Sequence, residues 1–163
     1  MRLQHFIDRL EEFSTLQGVS VFRTPLSPWV VGRTQGRQVV LRSGLSKEAQ
    51  LLTLIHELTH FLAHRPEEQL DRTVCEYEAE AVEKLVGGQL GLKNLGVAID
   101  PTTVTDDLLA CSVLRVRWVA RILLAAIQDV KPPAHGVKPA ANGVNPAQHF
   151  AADRLQPQAA VEI

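Results

Sequence analysis

Apolar residues recur at helical spacing in four segments of this chain. In residues 3–16 an apolar side chain returns every three or four positions, with charged side chains between them. The same period appears in residues 46–64, 71–90 and 106–127. Each pattern predicts a helix that packs one face against a core. Ser46 is placed to cap the second helix, because its hydroxyl can accept a hydrogen bond from a free backbone N–H of the first turn.

Three short segments rich in β-branched residues lie between the first two predicted helices. They cover residues 19–23, 29–33 and 37–42, and they predict strands. Pro25 and Pro28 favour a turn after the first, while Gln35 and Gly36 are typical of a tight hairpin before the third. The sequence therefore predicts an antiparallel three-stranded sheet with additional helices, an α+β fold.

Composition narrows the functional classes. The chain has 163 residues, 45% of them hydrophobic, and a net charge of -1. This supports a folded domain and leaves no basic surplus for phosphates or acidic lipids, so nucleic acid and membranes are not expected partners. The longest apolar run, residues 122–127, is far shorter than the roughly 20 residues that span a bilayer. With no signal-peptide pattern and only two cysteines, we expect a soluble cytoplasmic protein with free thiols at Cys75 and Cys111.

The character of the chain changes after residue 130. Five of the nine prolines lie in residues 131–163, together with many alanines. Such a segment offers little apolar surface to offset the entropy lost on ordering. We therefore expect one domain over residues 1–130 followed by a disordered tail, in which His135 and His149 have no partner at metal-binding spacing.

The second predicted helix carries His56-Glu57-Leu58-Thr59-His60, an HExxH motif. Residues four apart share one helix face, so both imidazoles can bind one ion, and zinc suits such ligands. Glu57 is placed to accept a proton from water that the zinc acidifies. The motif also arises by chance, but its apolar flanks indicate a packed helix, not a solvated one. A catalytic site still needs a third protein ligand.

Candidates for that ligand lie in the next helix. Glu76, Glu80 and Glu83 fall on one stripe, from which one side chain can face the zinc, whereas Glu78 points away. His64 lies about 80° around the helix from His56, a marginal position for the same ion. We interpret His64 as a residue that caps the helix end.

The segments HELTHFLAH and EYEAEAV resemble the ImmA/IrrE type of zinc metallopeptidase and the related domain of ArdC-like antirestriction proteins. The resemblance implies a zincin-like fold with His56, His60 and Glu76 as zinc ligands and Glu57 as general base. Glu80 stands where many relatives have Asn, so it is either a ligand or a hydrogen-bond partner of a ligand histidine. The resemblance also implies that the strand at residues 39–42 pairs with an extended peptide substrate. No helix-turn-helix segment of the kind many members carry is found in the sequence.

Two functions follow as hypotheses. The first is a zinc-dependent metalloendopeptidase acting on a specific, regulatory protein target, with Tyr77 or Arg115 as candidate oxyanion donors. The alternative is a non-cleaving interaction or antirestriction-type module with structural zinc. A closed structural site would need a fourth ligand, for which the sequence offers His64 or Cys75. Neither the substrate nor the oligomeric state is predicted.

Overall fold

The structure is a computed structural model that describes residues 2–64, 70–92 and 106–130, with side chains from residue 112 onward in the last range. The predictions for the tail at residues 131–163, including His135 and His149, lie outside these residues. The side chain of Cys111 lies outside them as well.

Four helices and three strands make up the described part of the chain. They are α1 (Arg2–Leu16), β1 (Ser20–Thr24), β2 (Gly32–Gln35), β3 (Gln38–Arg42), α2 (Lys47–Ala63), α3 (Arg72–Gln89) and α4 (Asp106–Ile127). The predicted α+β class is confirmed. Helix α2 begins where its cap predicts, because the Ser46 side chain accepts a hydrogen bond from the backbone N–H of Ala49.

The strands form one mixed sheet in the order β1-β3-β2, so the prediction of an antiparallel sheet is wrong for one of its two pairings. Strands β2 and β3 are antiparallel and joined by a two-residue turn, in which Gly36 has a φ of 56°. Strand β1 instead runs parallel to β3. A parallel pair needs a long crossover, and residues 25–37, which include β2 itself, supply it.

Strand β3 occupies the centre of this sheet and is bonded on both sides. The prediction that residues 39–42 offer a free edge to a peptide is therefore wrong. Within the described residues, β1 and β2 are the two edge strands of the sheet, and β2 lies against α2. The reason is the crossover after β1. It places β2 one strand position away from β1, and the hairpin then brings β3 into the position between them.

Helix α2 is the centre of the core and packs against the other three helices and two strands. Its side chains Leu51, Leu54, Ile55 and Leu58 are completely buried. Burying each contributes about 1.5–3 kcal/mol, which fixes the rotation of the helix about its own axis. The remaining face of α2, with the HExxH histidines, is thereby directed at α3.

Helix α4 closes the core from the other side of α3. It buries Val119 and Leu123 completely, while Arg117 and Arg121 remain exposed. Such charges interrupt its apolar sequence. Among the described residues, no helix is both long enough and apolar enough to cross a lipid bilayer.

Candidate metal centre

Helix α2 presents His56 and His60 on the same face, one turn apart. Their Nε2 atoms are 3.1 Å apart. The side chains are 20% and 19% exposed, so both rings are mostly enclosed yet reachable from solvent. The packing of the opposite face of α2 holds them in this direction.

Glu76 completes the cluster from α3. Its Oε2 lies 3.3 Å from Nε2 of His56 and 3.6 Å from Nε2 of His60. Ligand atoms of these three residues all lie within 4.8 Å of one another, and no other such group occurs among the described side chains. The structure thus brings together the three residues predicted as ligands.

The donor set fits a zinc ion. Two neutral imidazole nitrogens that face each other can share only one proton, whereas a cation satisfies both nitrogens and the carboxylate at once. Zinc bonds of 2.0–2.2 Å at tetrahedral angles put neighbouring ligand atoms about 3.3 Å apart. The observed separations of 3.1–3.6 Å match this spacing.

The other two glutamates on the predicted stripe have different surroundings. Glu80 lies 3.6 Å from Nζ of Lys84 and is not a member of the cluster. Glu83, which the sequence placed on the stripe without a role, lies with Oε2 3.4 Å from Nδ1 of His56. Glu83 is therefore placed to orient a ligand histidine, a role that the sequence considered for Glu80. The sequence signal for this position of Glu83 was its spacing of seven residues from Glu76, which puts both on one helix face.

Glu57 lies beside the cluster and is only 6% exposed. The hydroxyl of Thr34 on β2 is 2.7 Å from Oε2 of Glu57 and 2.9 Å from its backbone oxygen. A Cβ at Gly32 would come within 2.9 Å of Oε1 of Glu57 and 2.4 Å of Cγ2 of Thr53. Glycine at position 32 is therefore what allows β2 to lie so close to the glutamate.

Burial and nearby charges set the protonation of these groups. Burial raises the pKa of Glu57, and the Thr34 hydrogen bond opposes it only in part. Burial also lowers the pKa of His56, but the contact with Glu83 and the surrounding carboxylates outweigh it, so the net change is upward. Burial and the charges of the neighbouring histidines lower the pKa of His60 to about 4. At neutral pH His60 is thus uncharged and has a lone pair available for a metal.

His64 ends α2, as predicted, but its ring has a further contact. Nδ1 of His64 lies 2.9 Å from Nδ1 of His60, and Nε2 lies 3.0 Å from Oε2 of Glu78. Glu78 also binds Arg115 and Ser112 of α4. The interpretation of Glu78 as a side chain directed away from the centre is thus incomplete, because it is 1% exposed and linked to His60 through His64.

These contacts bear on the residues proposed for other roles. Both ring nitrogens of His64 are engaged, and neither His64 nor Cys75 belongs to the three-residue cluster. Burial, with the charge of Glu78, raises the pKa of Cys75 to about 11, so its thiol is protonated at neutral pH. Arg115 is 2% exposed and bound to Glu78, which places it away from the cleft as an oxyanion donor. Tyr77 is partly exposed, and its role stays a prediction.

A cleft of about 320 Å³ adjoins the cluster. Helix α2 and Val31, which precedes β2, supply its apolar wall, and acidic side chains of α3 supply part of its polar wall. Its lining consists of Val31, Ala49, Leu52, Thr53, His56, Glu57, Glu80 and Glu83. The cleft therefore joins a mostly apolar surface to the proposed base and one proposed ligand.

The fold and the site define a zincin-like domain, with an HExxH helix, an adjacent sheet and a donor cluster completed by the following helix. Residues 15–90 match the family model of the IrrE N-terminal-like domain, Peptidase_M78. This segment, which holds all of the cluster, belongs to the ImmA/IrrE-type family and is a metallopeptidase-like domain. Neither the curated proteins nor the solved structures contain a match to the chain.

Proposed function

We propose that this protein is a zinc-dependent metalloendopeptidase that hydrolyses a peptide bond in a specific protein target. The observation that carries the proposal is the position of Glu57, a buried carboxylate next to the cluster of His56, His60 and Glu76. A purely structural metal site has no need of such a group. The absence of a fourth member among the described side chains agrees with a site that keeps one position open.

His56, His60 and Glu76 would hold the zinc ion. When bound, zinc would act as a Lewis acid toward the scissile carbonyl and make water more acidic. Glu57 would accept a proton from the attacking water and return it to the leaving amine. Its raised pKa favours the first transfer, because the conjugate base of a weaker acid is a better proton acceptor. Thr34 holds the carboxylate in place.

Strand β2 is the element we propose for binding the substrate. In its pairing with β3 the backbone groups of Gln35 face Gln38 across the hairpin, and those of Val31 face Arg42. By alternation, the backbone N–H and C=O groups of Gly32 and Thr34 point to the open edge. An extended peptide could add to this edge by main-chain hydrogen bonds, next to Glu57.

The test compares Glu57→Gln with the wild-type protein and with Glu48→Gln, a matched change on the first turn of the same helix. Each zinc-loaded protein is incubated with a defined library of synthetic peptides, and cleavage is followed by mass spectrometry. We expect cleavage by wild type and Glu48→Gln, its loss on chelation and its return with zinc. Glu57→Gln should retain zinc and fold but lose about 10²- to 10⁴-fold in rate.

Two results would contradict the proposal. One is cleavage by Glu57→Gln at the wild-type rate, which would remove the base from the mechanism. The other is a zinc-loaded wild-type protein that binds peptides without cutting any of them. That second result would favour the non-cleaving module.

A further inference from the structure

A continuous set of hydrogen bonds runs from the proposed ligand His60 to helix α4. His60 contacts His64 through a pair of Nδ1 atoms 2.9 Å apart, and His64 contacts Glu78 at 3.0 Å. Nε of Arg115 lies 2.9 Å and 3.0 Å from the two oxygens of Glu78, and Ser112 donates to Oε1 at 2.7 Å. These contacts join the end of α2 to α3 and α4.

The part of this set beyond His60 is shielded from water. The side chains of His64, Glu78 and Arg115 are 7%, 1% and 3% exposed. Buried charges and polar groups are costly unless they are paired, and these are paired with each other. Burial and mutual pairing therefore favour a single geometry for these contacts.

The direction of the hydrogen bonds follows from the metal centre. Nε2 of His60 faces His56 and Glu76, so the proton of a metal-binding His60 resides on Nδ1. That N–H can donate only if Nδ1 of His64 is an acceptor. His64 then carries its own proton on Nε2 and donates it to Glu78, whose carboxylate also accepts from Arg115 and Ser112. Each donor in this order meets an acceptor.

We propose that His64 is a positioning residue of the metal centre, which fixes the tautomer and ring orientation of His60 and is itself held by Glu78 and Arg115. The inference rests on the proposed metal site. It adds α4 to the elements that support this site, because Arg115 holds Glu78. His56 has its own carboxylate, Glu83, so the two ligand histidines are oriented by different elements. Groups that orient a ligand histidine typically change metal affinity by about 10- to 100-fold.

Two variants with an amide side chain at position 64 distinguish a positioning role from a role in which the side chain only fills space. In His64→Asn the side-chain oxygen can occupy the place of Nδ1 and accept from His60, whereas in His64→Gln the amide reaches Glu78 but not His60. Zinc dissociation constants are measured by competition with a chelating dye, without substrate. We expect affinity near wild type for His64→Asn and a loss of about 10- to 100-fold for His64→Gln and His64→Leu.

The unfolding temperature of each metal-free variant is measured in parallel. A residue that only stabilised the fold would lower this temperature and leave the zinc dissociation constant unchanged. Equal zinc affinity in wild type and His64→Leu would overturn the proposal, and so would tighter binding by His64→Gln than by His64→Asn. These affinities do not depend on cleavage, so a failure of the peptidase assay leaves their result in force.

The zinc-loaded wild-type protein gives a test that needs no variant at position 64. Nitrogen NMR of the histidine rings should show the proton of His60 on Nδ1 and that of His64 on Nε2. A proton on Nδ1 of His64 would overturn the proposal. In the same series of zinc-binding measurements, His60→Ala should lose zinc. Retention by that variant would show that the metal centre itself is wrong.

Discussion

Glu76 and Glu78 illustrate how two neighbouring carboxylates acquire opposite surroundings. Two residues of helix correspond to a rotation of about 200°, so the side chains leave α3 on opposite sides. Glu76 is 40% exposed at the mouth of the cluster, whereas Glu78 is 1% exposed between His64 and Arg115. The first suits a metal ligand that must admit substrate, and the second suits a structural anchor.

Glu76 and Glu80 allow a matched test of the third ligand. Wild-type protein should hold about one zinc ion per chain, and Glu76→Ala should lose it on dialysis because two histidines alone bind weakly. Glu80→Ala removes a carboxylate one turn away and should retain the ion. Zinc is measured by mass spectrometry and the fold by circular dichroism. Loss of zinc in Glu80→Ala with retention in Glu76→Ala would reverse the assignment.

The sequence could predict His56, Glu57 and His60 because their relationship is local to one helix. Glu76 required a resemblance to choose it from a stripe of three glutamates. The contact of Glu83 with His56 and the link from His64 to Arg115 depend on how α3 and α4 dock against α2. No spacing within a single segment encodes that docking.

At the scale of elements, the helices were predicted well and the sheet only in part. Each helix carries its own period of buried residues, which can be read along the chain. A strand of four or five residues carries an alternation but no record of its partner. The parallel pairing of β1 with β3 therefore had no local signal, and the edge position of β2 followed from it.

The anchor at Glu78 ties α2, α3 and α4 together and should make stability depend on pH. Hydrogen bonds from His64, Arg115 and Ser112 outweigh burial and hold the pKa of Glu78 below its ordinary value of 4.5. A carboxylate with a lowered pKa stabilises the fold above that ordinary value, and the contribution is lost as pH falls through the folded-state pKa. The metal-free protein should accordingly lose this contribution below about pH 4.5.

Glu78→Gln tests this dependence. At pH 7 the change leaves Arg115 buried without its charge partner and should lower the free energy of unfolding by about 3–5 kcal/mol. The difference from wild type should shrink in acid, where Glu78 itself becomes neutral. Urea unfolding at several pH values with a chelator present measures it. Glu12→Gln, an exposed matched change, should cost at most about 1 kcal/mol at any pH.

At the scale of the whole molecule, the core is formed by the described helices together with β3 and Val19, just before β1. An ion pair between Arg9 and Asp129 joins α1 to the residues that follow α4. Each of the four helices thus packs against other elements within this part of the chain. The domain boundary after residue 130 stays a prediction.

A chain that ends at Val130 should therefore unfold at the same temperature as the full chain. The Pro- and Ala-rich residues 131–163 offer little apolar surface to stabilise the fold. Calorimetry of the two chains in metal-free buffer measures the difference. A decrease of more than about 4 °C would mean that the tail contributes more than 1 kcal/mol to the fold.

The close approach at Gly32 has a consequence for how this domain can diversify. Any side chain there would collide with Thr53 and with Glu57, so changes of selectivity cannot arise at that position without disturbing the base. The residues just before it are under no such restraint: Trp29, Val30 and Val31 are 93%, 38% and 47% exposed. Directed evolution toward new targets should therefore vary positions 29–31 and keep glycine at position 32.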